Sequence, residues 1–326
     1  MKEKLVSIVV PLHNEQSNIR FLIEQLSSVI EQVPYELELI LVDDGSTDST
    51  FIEACKYIDH ILNISVIKLS RNFGHQAAIL CGMRASKGHA VITMDGDLQH
   101  PPLVILELIK AWEQGYDVVH TRRLGDDKGL KSTSSRIFYK VLRLTSNLNI
   151  EEGMADFRLV ARNALNPILS LSESALFFRG LTLWIGYRQT TISYTPNNRY
   201  SGESSYSCKK MLELASNGIV SFSSQPLYWI LPFGIFVSMI SIFYGLYALF
   251  IKVFTDTAIS GWSSLAVLIS FLFGCLFAIL GIFGVYLGSI NEQIKSRPRY
   301  LVSDIEESYS SERFLSKDEK LNSVDF

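Results

Sequence analysis

The chain has 326 residues, a formal net charge of −3, 48% hydrophobic residues and only 19% charged ones. A soluble domain carries about 25% charge. The deficit here sits in two local stretches, which excludes a disordered chain, a collagen-like fibre and a simple soluble monomer. The near balance of charge gives no reason to expect nucleic acid as a partner.

From the N-terminus, apolar strand-like runs alternate with helical stretches. LVSIVV (5–10) precedes a helix from about Ser17 to Gln32, and LELILV (37–42) one from about Ser49 to Tyr57. ISVIKL (64–69) precedes a helix from His75 to Ala85, AVITM (90–94) one from Leu103 to Glu113, and DVVH (117–120) comes after them. This alternation predicts a mainly parallel sheet covered on both faces. No signal peptide is expected, because MKEK leads into too short an apolar run.

The residues just beyond two of these strands carry chemistry. LELILV runs into Asp43-Asp44-Gly45-Ser46, and AVITM into Asp95-Gly96-Asp97-Leu98-Gln99. Ligands of open α/β sheets bind beyond the carboxyl ends of the strands, so both acidic pairs are expected at one crevice. Each also reads as a plain turn, since Asp, Gly and Ser are turn residues. Clustered carboxylates repel one another unless a cation or donors offset them. A hard divalent cation bound through one or two carboxylates plus substrate phosphates suits the Asp95, Asp97 and Gln99 oxygens. There is no GxxxxGK[ST] and no GxGxxG to cradle phosphates. Downstream, Arg122, Arg123, Lys128, Lys131, Arg136, Lys140 and Arg143 form a basic run beginning where the fifth strand ends. Such a run is usually a solvated face, but here it lies on the ligand side. Asp156-Phe157-Arg158 and the stretch from Arg199 to Tyr206 are rich in polar groups, and spacing alone gives them no function.

Two stretches are long enough to cross a membrane. No charge occurs between Glu213 and Lys252, or between Asp256 and Glu292, and the expected spans are 226–251 and 262–290. The link between them is short, so they form a hairpin. Lys209, Lys210, Lys295, Arg297 and Arg299 crowd its outer flanks, whereas the link carries only Lys252 and Asp256. The positive-inside rule then makes the flanks, and the domain before them, cytoplasmic. The four cysteines, Cys55, Cys81, Cys208 and Cys275, form no CxxC pair, which fits that compartment. Residues 207–225 read as a juxtamembrane amphipathic helix, with an ordinary amphipathic core helix an equal candidate. Gly284 and Gly288 form a GxxxG, compatible equally with packing inside the hairpin and with a homo-oligomer. The polar, acidic tail 303–326 is expected to be disordered.

Taken in order, these segments resemble a known family. They are Pro11-Leu12-His13-Asn14-Glu15, Asp43-Asp44-Gly45-Ser46, SRNFGHQAAILCGM (70–83) and DGDLQHPP (95–102), followed by GMADFRLVAR (153–162), RYSGESSYS (199–207) and the two apolar spans. The chain resembles the glycosyltransferase family 2 enzymes that move a sugar from a nucleotide to a polyprenyl phosphate. FFRGLTLWIGYRQT (177–190) brings it nearest the bactoprenol glucosyltransferases. Dolichol-phosphate mannose synthase is a more distant relative. The resemblance implies a Rossmann-like GT-A domain over residues 1–206, followed by the membrane hairpin. By position, Pro11, Asn14, Glu15, Asp43, Asp44 and Asp95 match nucleotide-binding residues, and Asp97 and Gln99 match ligands of Mg2+ or Mn2+. Arg122, Arg136 and Arg199 match cations around the diphosphate and acceptor phosphate, with Ser205 beside the acceptor, and Asp156 matches an acid often proposed as catalytic base. Gly96 replaces the usual Ala between the two acids, which is expected to loosen that loop.

The implied reaction is inverting transfer of glucose from UDP-glucose to undecaprenyl phosphate at the cytoplasmic face of the inner membrane, serving O-antigen or another surface glycan. Aminoarabinose, an N-acetylhexosamine or mannose fits the same pattern. A processive polysaccharide synthase fits less well, because QxxRW is missing and two spans make a poor channel. A non-enzymatic membrane scaffold is disfavoured by the intact acidic set.

Overall fold

The computed structural model describes residues 4–30, 32–58, 63–124, 153–171, 178–197, 225–254 and 261–308. The chain divides into two units. One comprises residues 1–140, 148–207 and 297–326, and the other residues 141–147 and 208–296.

The first unit is built on an eight-stranded sheet. Its strands are β1 (Leu5–Leu12), β2 (Glu36–Asp43), β3 (Ile64–Leu69), β4 (Ala90–Thr93), β5 (Val118–Arg123), β6 (Met154–Ala161), β7 (Gln189–Tyr194) and β8 (Val302–Glu307). The spatial order is β7-β5-β6-β4-β1-β2-β3-β8. β4, β1, β2 and β3 are mutually parallel, as the alternation predicts. Their runs are almost continuously apolar because both faces are covered; Val9 and Ile40 are essentially inaccessible. The helices that cover them are α1 (Ile19–Ile30), α2 (Thr50–Cys55), α3 (His75–Ala85) and α4 (Val104–Glu113). α1 buries Ile19, Leu22, Ile23, Leu26 and Val29, the i, i+3, i+4, i+7 stripe of a helix with one face on a core.

Three features depart from a simple parallel reading. β5 does not extend the parallel block beside β4, because β6 inserts between them, antiparallel to both. β6 is the GMADFRLVAR segment, and it leads into α5 (Arg162–Ser170); α6 (Phe178–Trp184) comes next, and β7 then pairs with β5 in parallel. The third is a correction to the disordered tail expected from Ser303. Residues 302–307 form β8, antiparallel to β3. The strand is secured by Ser70 N–H donating to the Leu301 carbonyl at 2.8 Å and by the buried Tyr300 ahead of it. An edge strand needs burial on one side only, and its acids keep the other edge in water. The rest of the tail, from 309, lies outside the described residues. Arg299, one of the basic residues at the membrane flanks, donates to the Leu171 carbonyl at 3.1 Å within this unit.

The second unit contains two long apolar helices in contact with each other, α7 (Gln225–Phe254) and α8 (Trp262–Ile294). Within them Leu227–Tyr247 and Phe271–Ile294 are long and apolar enough to cross a membrane. Phe236, Phe243, Phe277 and Leu287 are more than half exposed, which suits lipid better than water. The juxtamembrane helix expected over 207–225 falls outside the described residues up to 224.

Candidate active site

The site assembles where β1, β2 and β4 end and the antiparallel β6 begins. β1 runs through Pro11 to Leu12, and the chain then turns at Asn14, whose φ is 55°. The Asn14 Oδ1 accepts from the Thr47 N–H at 2.9 Å, its own N–H donates to Ser46 Oγ at 2.9 Å, and the Glu15 N–H donates to Thr50 Oγ1 at 2.9 Å. The first-strand motif is thereby bound to the Asp43-Asp44-Gly45-Ser46 loop. Gly45 is required there: its φ is +60°, and a Cβ would lie 2.3 Å from the Arg71 backbone.

The two acids of this loop are buried and behave differently. Asp44 accepts from the Phe73 N–H at 2.7 Å and from the Gly74 N–H at 2.9 Å, one on each carboxylate oxygen. It therefore fixes the point at which α3 begins. Asp43 Oδ1 accepts from the Ser46 N–H at 3.0 Å, while its buried Oδ2 has no hydrogen-bond partner. One carboxylate holds the loop and the other keeps an unsatisfied oxygen beside the crevice.

The second acidic set is gathered by strand register. Thr93, the last residue of β4, pairs antiparallel with Arg158. Continuing that register two residues beyond Thr93 sets Asp95 opposite Asp156. α3 supplies the link, since its first residue, His75, places Nε2 at 3.3 Å from Asp95 Oδ1 and 3.8 Å from Asp156 Oδ2. His100 closes the other side of Asp95. It is fully buried and stacked on Phe157 with ring centroids 4.9 Å apart. The Asp95 backbone N–H donates to His100 Nδ1 at 3.0 Å, so the proton of the neutral ring sits on Nε2, 3.6 Å from Asp95 Oδ2. Burial lowers the His100 pKa despite that neighbouring carboxylate.

Asp156 is the most heavily engaged acid. Arg158 Nη2 donates to its Oδ1 at 2.6 Å, Arg179 Nε to Oδ1 at 3.1 Å, Arg179 Nη2 to Oδ2 at 2.9 Å, and Gln76 Nε2 to Oδ2 at 3.3 Å. Burial alone would raise its pKa. The Arg179 and Arg158 guanidiniums overcome that and hold the carboxyl well below the ordinary carboxylate range. Arg158 is itself buried and also donates to Thr182 Oγ1 and the Ala155 carbonyl, each at 3.1 Å.

Asp97 and Gln99 lie in the half-buried loop after β4, with the Gln99 N–H donating to Asp97 Oδ1 at 3.1 Å. Gly96 leaves room for Leu12, whose Cδ2 a Cβ there would meet at 2.5 Å. Among the described residues no three His, Cys, Asp or Glu side chains converge as a metal cage. The donor set still fits a hard divalent cation that completes its shell with phosphate and water. Asp97 and Gln99 offer oxygens, and Asp95 Oδ1 is buried without a hydrogen bond.

Of the arginines expected around phosphate, Arg122 is half-buried near the end of β5 and donates to Ser193 Oγ at 3.3 Å. Arg123, on the opposite face of the strand, has Nη2 3.4 Å from His100 Nε2 and donates from Nε to the Tyr194 hydroxyl at 3.1 Å. Arg136, Arg199 and Ser205 lie outside the described residues. Sequence reasoning missed His75, Gln76, His100 and Arg179 as site residues. His75 and Gln76 stand in SRNFGHQAAILCGM, His100 in DGDLQHPP and Arg179 in FFRGLTLWIGYRQT, so the signal was present as segments without assigned roles.

The chain is similar to known proteins over most of its length. The Glycosyl transferase family 2 model matches residues 7–169. An uncharacterized glycosyltransferase of Bacillus subtilis is 40% identical over 302 residues, spanning 91% of this chain and 92% of that protein. The bactoprenol glucosyl transferase of Shigella phage SfX is 36% identical over 301 residues, spanning 91% of this chain and 98% of its own length. Among solved structures, glucosyl-3-phosphoglycerate synthase of Mycobacterium tuberculosis is 18% identical with a TM-score of 0.46, covering 67% of this chain and 78% of that one.

Proposed function

The chain belongs to glycosyl transferase family 2, and on that premise we propose that it transfers a sugar, glucose from UDP-glucose, to a polyprenyl phosphate such as undecaprenyl phosphate, with inversion at the anomeric carbon. The observation that carries the reading is the coexistence in one chain of a carboxylate crevice at the ends of parallel strands and two membrane-length apolar helices. The first suits a metal-bound nucleotide sugar, and the second suits an enzyme whose acceptor is a lipid. The near full-length likeness to bactoprenol glucosyl transferase supports the choice of acceptor and sugar.

In this reading Pro11, Asn14, Glu15, Asp43, Asp44 and Asp95 line or shape the nucleotide pocket. Asp97 and Gln99 hold Mg2+ or Mn2+, which when bound offsets charge on the diphosphate. Arg122, Arg136 and Arg199 add positive charge around the phosphates, with Ser205 at the acceptor. The acceptor oxygen forms its bond to the anomeric carbon from the face opposite the leaving group. The bonding pair of the broken C–O bond departs with the nucleoside diphosphate. A phosphate monoester has a second pKa near ~6, so the nucleophile arrives ionised and no proton has to be removed during attack.

The apolar helices form a membrane hairpin, and the basic flanks assign the catalytic unit to the cytoplasmic side. The deciding experiment incubates the purified full-length protein with undecaprenyl phosphate and a panel of nucleotide sugars, with and without EDTA, and measures lipid-linked sugar. Product from UDP-glucose that disappears with EDTA is the expected result. No product from any donor overturns the reading.

A further inference from the structure

We infer that Asp156 serves the reaction as the anchor of Arg179, and that Arg179 meets a phosphate oxyanion of the substrates. Asp156 is then a positioning residue rather than a proton acceptor. The inference rests on the proposed sugar transfer.

A general base needs a lone pair aimed at the attacking hydroxyl. A carboxylate has about four lone-pair sites, and four donors converge on Asp156. Arg158 Nη2 and Arg179 Nε share Oδ1, while Arg179 Nη2 and Gln76 Nε2 share Oδ2. The side chain is only 11% exposed. A proton arriving there would have to displace a guanidinium and leave the buried Arg158 without its counter-charge, a costly state.

The two arginines differ in what they can reach. Arg158 is 1% exposed and also donates to Thr182 and Ala155, so its role is internal. Arg179 is 26% exposed. Its Nε and Nη2 grip both oxygens of Asp156 side-on, which fixes the plane of the guanidinium. The same carboxylate lies next to His75, which reaches Asp95 at the end of β4. Arg179 is therefore held in a fixed plane and partly exposed beside the carboxylate that lies next to His75 and Asp95. A planar, permanently charged fork suits a phosphate oxyanion better than it suits any neutral sugar hydroxyl. The oxyanion can belong to the donor diphosphate or to the acceptor monoester.

The test uses the full-length protein and four variants, Arg179→Gln, Arg179→Lys, Asp156→Asn and the double Asp156→Asn/Arg179→Gln. Steady-state rates are measured against each substrate from pH 5.5 to 8.5. Thermal melting checks that Arg179→Gln, which leaves the Arg158–Asp156 pair in place, remains folded. Arg179→Gln should lower kcat/KM about 10²-fold or more, the scale of losing a fixed electrostatic donor. The substrate whose KM rises identifies the phosphate, nucleotide sugar for the diphosphate or polyprenyl phosphate for the acceptor. Arg179→Lys should fall between wild type and Arg179→Gln. The double variant should be no slower than the slower single variant, because the residues act as one unit. The inference is overturned if Arg179→Gln keeps its rate within about threefold, or if the two losses multiply. It is equally overturned if Asp156→Asn alone is inactive at every pH with normal nucleotide-sugar binding. A wild type that makes no lipid-linked product with any sugar defeats the transfer reading itself, and this inference with it.

Discussion

The molecule satisfies buried carboxylates in two ways, and the contrast separates its framework from its chemistry. At the end of β2, Asp43 and Asp44 are met by backbone amides, those of Ser46, Phe73 and Gly74. At the end of β4 and the start of β6, Asp95 and Asp156 are met by side chains, those of Arg158 and His100 from nearby in the chain and those of His75, Gln76 and Arg179 from other elements. An amide partner fixes the path of the chain. A guanidinium or imidazole partner places charge at a point. The two sets are also connected: Asp44 fixes the start of α3, and α3 carries His75 and Gln76 to the second set.

Three measurements put this division between framework and chemistry at risk. The largest effect is expected from Asp97→Asn, which removes the charge proposed for the metal while keeping an Oδ1 acceptor for the Gln99 N–H. Transfer should fall by roughly 10²-fold or more, while the melting temperature reports a stability change within about 0.5 kcal/mol. A fall in stability comparable to the fall in rate would place Asp97 with the framework acids.

Acid should act next, through a histidine. His120 on β5 is buried opposite Arg158 in the register, and burial, with Arg158 beside it, lowers its pKa to about 4. Because the folded value lies below the unfolded one, its contribution is complete above about pH 6.5 and is lost as pH falls toward 4. That shift corresponds to about 3 kcal/mol. Asp156 keeps its charge through this window, so unfolding scans at successive pH values should show the drop in wild type and lose most of it in His120→Gln. An unchanged drop in that variant would move the acid sensitivity elsewhere.

Asp44→Asn should have the smallest effect. It replaces a charged acceptor of two amide bonds by a neutral one, at a cost of about 1–2 kcal/mol. Activity should fall only as far as α3 and the pocket it shapes shift, read as a modest rise in the nucleotide-sugar KM. A collapse of nucleotide-sugar binding would instead show that Asp44 contacts the nucleotide directly.

The sequence makes the framework legible because its signals are local. The alternation of β1 to α4 and the spans of α7 and α8 appear within windows of about 10 to 20 residues. Predicted bounds fall within a few residues of the observed ones, and β3 and α3 coincide with them. The insertion of β6 between β4 and β5 was not legible, because strand partners are chosen across long separations. Arg122 and Arg123 are adjacent, and a strand sends them to opposite faces; the pattern does not say which of them meets Ser193 and which Tyr194 and His100. Arg179 and His100 carry no local mark, since each acquires its role only when α6 or the β4 loop folds against β6. β8 looked disordered because VSDIEE has the acidity of a tail, and at a sheet edge that acidity is compatible with pairing.

β8 has a consequence for how the protein must be made. The sheet takes seven strands from before the two apolar helices and one from after them, with Ser303 bonding to Lys68 across 235 residues of chain. A continuous hydrogen-bonded sheet cannot have strands on both sides of a bilayer. If the chain enters the membrane between β7 and β8, it must cross an even number of times, so retention of β8 forbids a single-span topology. It also sets an order of events. While the ribosome is still extending the chain through α7 and α8, β3 presents an open edge of the kind that invites wrong pairing. The catalytic unit is closed only by a strand synthesised after its own anchor.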